Sequence, residues 1–203
     1  MLELFHKGGF FMYPILALLI IGLAISLERI YTLTRSSVST KKLLARVRKA
    51  LEEGGIDDAK RICSQTRGPV ASIIMAGLLR IDEGIDHVEK AISNAGTVEM
   101  AFLERGLVWL STIVSVAPML GFTGTVQGMV QAFQSIEAAN DISPSIVAGG
   151  ISVALLTTLF GLVVAIMISL AYNYFTNQID NLTIDMEESS VELVDTLVAL
   201  QKK

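Results

Sequence analysis

Two threonines lie in the middle of long uncharged stretches of this chain, where water is scarce if the stretches cross a membrane. Thr125 lies within residues 106–136, and Thr158 lies within residues 142–179. A hydroxyl group both donates and accepts hydrogen bonds, so it can support a proton wire or coordinate an ion. Its pKa is far from neutrality, so it cannot itself hold and release a proton near pH 7. A proton path lined by these residues therefore needs a titrating group from elsewhere.

Both hydroxyls also have a simpler arrangement open to them. A buried threonine often donates its hydroxyl to the carbonyl one turn earlier in its own helix. On the residues alone, this arrangement is the favoured one for Thr125 and Thr158. Thr157, Thr123 and Ser152 are weaker candidates for lining a path, because adjacent helical positions point about 100° apart.

Small residues recur every three or four positions in both stretches, which aligns them along one face of each helix. Lipid gives helices no hydrophobic reason to associate, so close backbone approach along small residues and hydrogen bonds between helices hold them together. The two stripes therefore predict packing surfaces. Their members are Ala117, Gly121, Thr125, Gly128 and Ala132 in the first stretch, and Gly150, Ala154, Thr158, Gly161 and Ala165 in the second.

Pro118 lies inside the first of these stretches. A proline removes one backbone hydrogen bond and kinks a helix, which membranes tolerate when neighbouring groups satisfy the freed carbonyl. The kink would lie next to Gly121 and Gly124. It could serve motion or be a static feature of shape, and the sequence leaves both open.

A third uncharged run, residues 10–27, precedes the two stretches. A membrane span needs about 20 mostly apolar residues, and the whole chain has a mean hydropathy of +0.57. A secretory signal peptide is the alternative for this run, but no A-x-A-like cleavage site follows it. The sequence predicts an all-α integral membrane protein with three transmembrane helices. Its long second and third helices are expected to extend into a cytoplasmic helical domain.

Basic residues predict the orientation, because those close to span ends stay cytoplasmic. Seven of them lie between residues 29 and 49, Arg105 precedes the second span, and the link 137–145 has none. We therefore expect a multi-pass protein with its amino terminus outside the cytoplasm and its carboxyl terminus inside it. The expected segments are an outer segment at 1–9, spans at 10–27, 106–136 and 146–175, a cytoplasmic helical region at 28–105, an outer link at 137–145 and a cytoplasmic helix at 176–203.

Helical periodicity continues in the polar parts of the chain. Past Thr176, an apolar face predicts that the last helix continues and packs on the region before the second span. Its members are Ile179, Leu182, Met186, Leu193, Leu197 and Leu200. That region itself predicts four helices, which are Lys42–Glu53, Ile56–Ser64, Val70–Asp82 and Ile85–Arg105, the last leading without a strong breaker into the second span.

Several function classes find no support in the residues. No nucleophile motif, phosphate loop or metal-ligand spacing occurs in the polar region, so we expect neither an enzyme nor a cofactor. Cys63 is the only cysteine, which rules out a disulfide within the chain, and His6 and His87 lie too far apart in sequence to suggest a metal site. A nucleic-acid binder would show a basic patch or stripe.

The three spans hold no Asp, Glu, Lys, Arg or His. Proton relays and ion pathways in membranes normally contain such buried ionisable groups. If this protein moves ions, the titrating group must therefore come from another chain.

Two motifs stand out in the second and third uncharged stretches, where residues 117–129 read APMLGFTGTVQGM and residues 150–162 read GISVALLTTLFGL. The first resembles the proline-glycine-threonine signature of the second pore helix in the MotA/TolQ/ExbB proton-channel family. The second resembles the third-helix motif of the same family. Three spans, a large loop between the first and second, and a length of 203 residues fit the ExbB/TolQ branch.

The resemblance implies a protein of the bacterial inner membrane whose outer segments, 1–9 and 137–145, are periplasmic. It also implies a ring of subunits, understood as a homopentamer, around the single transmembrane helices of a partner resembling ExbD or TolR. That partner's membrane aspartate would take the proton, and a TonB/TolA-like protein would pass the energy across the periplasm. The family's pore-lining threonines correspond here to Thr125 and Thr158, with Thr157 and Ser152 as weaker candidates. H⁺ is the expected ion and Na⁺ the less favoured one. Where ExbB/TolQ-type third helices usually carry a glutamate, this chain has Val153, and MotA-like sequences also tend to be apolar there.

Two function classes stay open on the sequence. The first is a proton-driven motor subunit with an acidic partner. The second is a non-conducting membrane scaffold that assembles a secretion or motility apparatus through the same small-residue packing. A transporter of small solutes is less favoured, because no inverted repeat or pair of broken helices is evident. The process that is powered is also open.

Overall fold

The computed structural model describes residues 5, 8–36, 40–139 and 144–201, and in these residues it contains helices and turns but no strand. Seven α-helices of ten residues or more follow one another along this part of the chain. They are α1 (Met12–Ser36), α2 (Thr40–Glu53), α3 (Gly55–Gln65), α4 (Pro69–Leu78), α5 (Ile85–Leu103), α6 (Leu107–Ala139) and α7 (Pro144–Gln201), with a short 3-10 helix at Ile81–Glu83 before α5.

The chain divides into two compact units. Unit 1 comprises Met1–Glu28 and Gly106–Tyr174, and unit 2 comprises Arg29–Arg105 and Phe175–Lys203. Helices α1 and α7 therefore contribute residues to both units.

Three stretches of helix are long and apolar enough to cross a membrane. They fall within Met12–Thr34, Ile85–Ala138 and Val147–Leu200, with mean hydropathies of 1.9, 1.6 and 2.6. Helix α7 has 58 residues, which at 1.5 Å per residue corresponds to roughly 87 Å, far more than a hydrocarbon core of about 30 Å. The predicted fold class, all-α with three membrane helices of which the last two are long, is confirmed.

The prediction that α5 leads directly into the second span was wrong in one detail. Helix α5 ends at Leu103, and α6 begins at Leu107. Between them Gly106 has φ +88°, a backbone conformation that glycine adopts without the Cβ clash that penalises other residues. A single glycine among periodic apolar residues gives little warning of such a break, because isolated glycines are tolerated within helices.

Other helix ends also differ from the expected ones. Helix α4 ends at Leu78 rather than Asp82. Residues 79 and 80 form a turn, and the 3-10 helix Ile81–Glu83 follows. Helix α6 continues through Glu137 to Ala139, so part of the expected link is helical. Helix α7 begins at Pro144, where the fixed φ of proline suits a first helical position. Residues 140–143 of the link lie outside the described residues.

The core of unit 2 is built from the apolar faces of its helices. Helix α2 buries Leu43, Leu44, Val47 and Leu51, and α4 is buried along most of its length. The predicted apolar face of α7 is buried at Ile179, Leu182, Met186, Leu193 and Leu197.

Specific contacts join α7 to the earlier helices of unit 2. A Cβ atom on Gly77 would lie 3.3 Å from a methyl of Leu193, and the Thr40 hydroxyl donates to Asp185 Oδ2 at 2.9 Å. The predicted packing of the last helix on the region before the second span is therefore what the structure shows.

A buried arginine lies at the end of α5. Arg29 is 4% exposed, and its Nη1 donates to the carbonyl oxygens of Leu103 at 3.3 Å and Phe102 at 3.5 Å. The last carbonyls of a helix have no partner within the helix and carry its negative partial charge. Arg29 therefore satisfies the carboxyl end of α5 with a positive charge.

Candidate functional site

Helices α6 and α7 meet through two pairs of glycines. A Cβ atom built on Gly161 would lie 3.1 Å from Gly121 Cα and 2.6 Å from the carbonyl oxygen of Ala117. One built on Gly128 would lie 2.9 Å from the carbonyl oxygen of Gly150. Gly121 thus lies opposite Gly161, and Gly128 opposite Gly150, which is an antiparallel register. The two backbones touch, as small-residue packing of membrane helices requires.

Between the two glycine pairs, Gly124 lies over Thr157. A Cβ atom on Gly124 would overlap the Thr157 side chain, with 2.6 Å to its Cβ. Thr157 is 0% exposed, and its hydroxyl donates to the carbonyl oxygens of Ala154 at 2.9 Å and Val153 at 3.1 Å. The structure therefore places this candidate inside the helix contact, with its proton bound within its own helix.

Thr158 makes a hydrogen bond between the two helices. Its Oγ1 donates to the carbonyl oxygen of Gly121 at 3.2 Å. The side chain is half-buried at the edge of the contact. Unlike Thr157, Thr158 uses its proton to link α7 to α6, and its hydroxyl oxygen retains lone pairs that can accept a hydrogen bond.

Thr125 takes the simpler arrangement weighed from the sequence. Its hydroxyl donates to the carbonyl oxygen of Phe122 at 2.6 Å, within α6, and it is partly exposed. Thr123 is exposed and donates to Met119 at 2.8 Å, and Ser152 is exposed on α7. The structure of a single chain does not bring these three residues into the contact that holds Thr157 and Thr158.

The remaining sequence-predicted packing residues lie along the same interface. Ala154 is buried opposite Gly128. Ala132 is buried, and its side chain is what a Cβ on Gly150 would meet. Pro118 lies within the uninterrupted helix α6 and is half-buried.

Val153 occupies the position at which the resemblance places a glutamate in most ExbB/TolQ-type third helices. A Cβ atom on Gly9 would lie 3.5 Å from Val153 Cγ1, so Val153 faces the turn that precedes α1.

The interface contains dipoles but no formal charge. Residues 12–27, 107–136 and 144–174 hold no Asp, Glu, Lys, Arg or His. No group of three potential metal ligands occurs among the residues that the structure describes. These helices therefore offer hydroxyl and carbonyl oxygens to an ion or proton. The Thr125 oxygen is more open than those of Thr157 and Thr158.

The sequence predicted Gly124 as a packing and kink residue and Thr125 as a member of the small-residue stripe. The buried line on α6 runs through Gly124 rather than Thr125, in keeping with the spacing of Gly121, Gly124 and Gly128, since steps of three and four residues stay on one helix face. Nothing in the sequence indicated that Thr157, rather than Thr158, fills the space above Gly124.

Residues 65–188 match the MotA/TolQ/ExbB proton channel family. The chain belongs to this family. The matched segment includes all of α6 and the part of α7 that carries the glycine pairs and the threonines.

Its relatives fall in the ExbB/TolQ branch. The chain is 39% identical over 194 residues to an ExbB homologue of Methanothermobacter thermautotrophicus, covering 95% of this chain and 67% of the relative. It is 37% identical over 91 residues to the biopolymer transport protein ExbB of Xanthomonas campestris pv. campestris, covering 45% and 36%. It is 38% identical over 84 residues to the Tol-Pal system protein TolQ of Haemophilus influenzae, covering 41% and 37%.

With its three apolar helices, this ExbB/TolQ-like chain is a multi-pass membrane protein. Its family is one of channel and transport components.

Proposed function

We propose that this protein is the ring-forming subunit of a proton-driven motor that couples the proton motive force to work at the cell envelope. The proposal rests on the membership of this chain in the MotA/TolQ/ExbB family. It is supported by the contact between α6 and α7, which offers hydroxyl and carbonyl oxygens but no titrating group. The carboxylate that takes the proton then belongs to a partner with a single transmembrane helix, resembling ExbD or TolR, and H⁺ is the transported ion.

The exposed surface of unit 1 supports assembly with other chains and with lipid. The outer faces of α6 and α7 are apolar over many turns, which marks a surface that contacts lipid or other membrane helices. Phe122, Phe133, Leu155 and Ile166 are among its exposed side chains. A ring of five such subunits would use part of this surface between copies and leave part to the lipid.

Thr125 and Thr158 have different roles in this proposal. The partly exposed Thr125 oxygen is available to hydrogen-bond a carboxyl group on a helix inside the ring. Thr158, bound to the Gly121 carbonyl, links the two helices and holds an acceptor oxygen at a fixed place beside the path.

The proposed orientation follows from the basic residues near the span ends, with the amino terminus outside the cytoplasmic membrane and the carboxyl terminus in the cytoplasm. Energy would then leave the complex on the periplasmic side, through the partner and a TonB/TolA-like protein.

The test is proton flux in liposomes that contain a trapped pH-sensitive dye. The protein is reconstituted alone or with the product of a neighbouring gene that encodes one span with an aspartate inside it. We expect flux only from the complex, and its loss when the partner's aspartate is changed to asparagine. Vigorous flux from the protein alone, or none from the assembled complex, would contradict the proposal. A sodium gradient applied at constant pH separates Na⁺ from H⁺ as the ion.

A further inference from the structure

An open groove of about 720 Å³ runs between α5 and α7 in unit 2. Its apolar lining includes Ile92, Met100, Met186 and Val194, and its rim carries carboxylates. We propose that this groove docks a basic amphipathic helix of a partner protein. The proposal goes beyond the function proposed above and does not depend on ion conduction.

The length of the groove fits a short helix. Along α5 it extends from Glu89 to Met100, and along α7 from Thr183 to Asp195. At 1.5 Å per residue each wall is about 17–18 Å long, which is three helical turns. An occupant of about 12 residues with apolar side chains one turn apart would place three or four of them on the groove floor.

The lining leaves room for such a helix. Ser93, Gly96 and Ser190 are small residues among those that line the groove. A Cβ atom added to Gly96 would meet only the end of Met186, at 3.9 Å, so the space above this glycine is not filled by the protein's own side chains. Met100 and Met186 are flexible and polarizable, which suits a floor that adapts to an incoming apolar side chain.

The charge of the lining favours a basic occupant. Three carboxylates, those of Glu89, Glu187 and Asp195, line the groove together with no lysine, arginine or histidine. None of the three takes part in a salt bridge recorded among the described residues. Lysine or arginine side chains flanking an apolar stripe would find these carboxylates on both walls, which gives orientation and a faster encounter.

Further acidic side chains lie beside the groove on α7. Val191 is 62% exposed and borders this groove and a second one, together with Glu187 and Asp195. The second groove adds the carboxylates of Glu188 and Glu192 on this helix, and its far side holds Arg48 in a salt bridge with Glu52. Val191, exposed between the two grooves, provides an apolar contact for the edge of a bound helix.

The most basic helix of a second copy fits the groove less well. Helix α2 is the most basic helix of unit 2, with Lys41, Lys42 and Arg46 on its exposed side. Its apolar residues are buried in its own chain, so α2 of a second copy would bring charge to the rim but no side chain to the floor. An anionic lipid surface is disfavoured by the carboxylates of the rim.

The test uses the full-length protein in nanodiscs of zwitterionic lipid and fluorescence anisotropy of two labelled peptides. The first is a helical peptide of about 18 residues, with leucines on one face and lysines on the others, and the second has glutamate in place of each lysine. We expect the lysine peptide to bind, the glutamate peptide not to bind, and added salt to weaken binding.

Two variants of the groove and one control variant test whether the peptide binds in the groove. Gly96→Leu fills the space on the floor, and the double variant Glu187→Lys, Asp195→Lys reverses the rim. Each is expected to weaken binding of the lysine peptide by about tenfold or more. Asp82→Lys makes the same kind of charge change at an exposed position outside the groove and is expected to leave binding within about twofold. Circular dichroism checks that each variant is folded.

Several outcomes would overturn the proposal. They are equal binding of the two peptides, equal effects of the groove and control variants, binding to empty nanodiscs that matches binding to the protein, and no binding of the lysine peptide. A groove blocked by a second copy would show as peptide binding that appears only when the oligomer dissociates, and this too would overturn it.

Discussion

The hydroxyl of Thr158 on α7 donates to the carbonyl oxygen of Gly121 on α6 at 3.2 Å. This bond joins two helices whose backbones are already in contact beside it, and it fixes the direction of the threonine oxygen. The same atom is therefore a structural link and a candidate for the proton path.

Replacing Thr158 with valine keeps the shape and removes the hydroxyl. We expect a small loss of stability, about 0.6 kcal/mol, which is the average for hydrogen bonds between membrane helices. If the oxygen lines the path, flux through the complex falls by about tenfold, corresponding to 1.4 kcal/mol at the barrier. Dye-based flux and thermal unfolding in detergent measure the two effects separately.

Thr158→Ser is the matched control, because it retains the oxygen and loses only a methyl group. Flux that is unchanged in Thr158→Val, or equally reduced in both variants, would remove Thr158 from the proton path.

The contact of Gly124 with Thr157 predicts a strong effect of adding one methyl group. Gly124→Ala places a Cβ against a buried, β-branched side chain that is 0% exposed and has little freedom to move. We expect a destabilisation of about 1–3 kcal/mol, measured by thermal unfolding of the protein in detergent.

Gly149→Ala is the control for this substitution, since a Cβ there would have no neighbour within 4 Å. Combining Gly124→Ala with Thr157→Ala should restore part of the lost stability, which a double-mutant cycle reports as coupling between the two sites. Additive effects would show that the two residues do not constrain one another.

Removing the buried guanidinium of Arg29 is expected to lower the free energy of unfolding of unit 2. Arg29→Gln shortens the side chain and loses the charged donor to the carbonyls of Phe102 and Leu103. Hydrogen bonds to charged groups contribute about 1.5–3 kcal/mol, so unfolding of this unit should occur at lower denaturant concentration. Arg46→Gln removes an exposed arginine and should change the midpoint little. Equal midpoints for the two variants would contradict a role for Arg29 at the end of α5.

Burial raises the pKa of the Cys63 thiol to about 11, from an ordinary value of 9.0. The thiol is 3% exposed, so we expect slow reaction with a thiol reagent at pH 8 in the folded protein and fast reaction after unfolding.

The raised pKa of Cys63 also fixes the sign of its effect on stability. The neutral thiol is favoured in the folded state, so the unfolded state loses its proton first as the pH rises. The stability contributed by this group is therefore complete below about pH 9 and is lost as the pH rises toward about 11. Denaturant titrations at pH 8 and pH 10.5, compared with those of Cys63→Ala, measure the loss. A variant with the same pH dependence as the unmodified protein would show that Cys63 does not contribute.

Much of the fold follows from simple patterns in the sequence. Uncharged runs identify the three membrane helices, and the apolar face from Ile179 to Leu197 identifies the packing of α7 in unit 2. The break at Gly106 was not predictable in the same way, because it depends on one φ angle rather than on composition.

The candidate site was predictable as a region but not at the level of single side chains. Periodicity of 3.6 residues places Gly124 and Thr125 equally near the stripe through Gly121 and Gly128, so the packing of α7 decides which of them is buried. Gly124 is the buried one, because Thr157 of α7 packs against it. The role of Arg29 was also hidden, since a basic residue at a span end is expected for topology alone.

The contact between α6 and α7 brings main-chain atoms together at two pairs of glycines, one on each side of the contact between Gly124 and Thr157. Main chain in a helix has no rotamers, so this contact has few alternative arrangements available to it at low cost. A change in the width of any channel beside these helices is then expected to come from movement of the pair as one body against its neighbours. The hinge for such a movement has to be sought at the ends of the pair rather than between its two members.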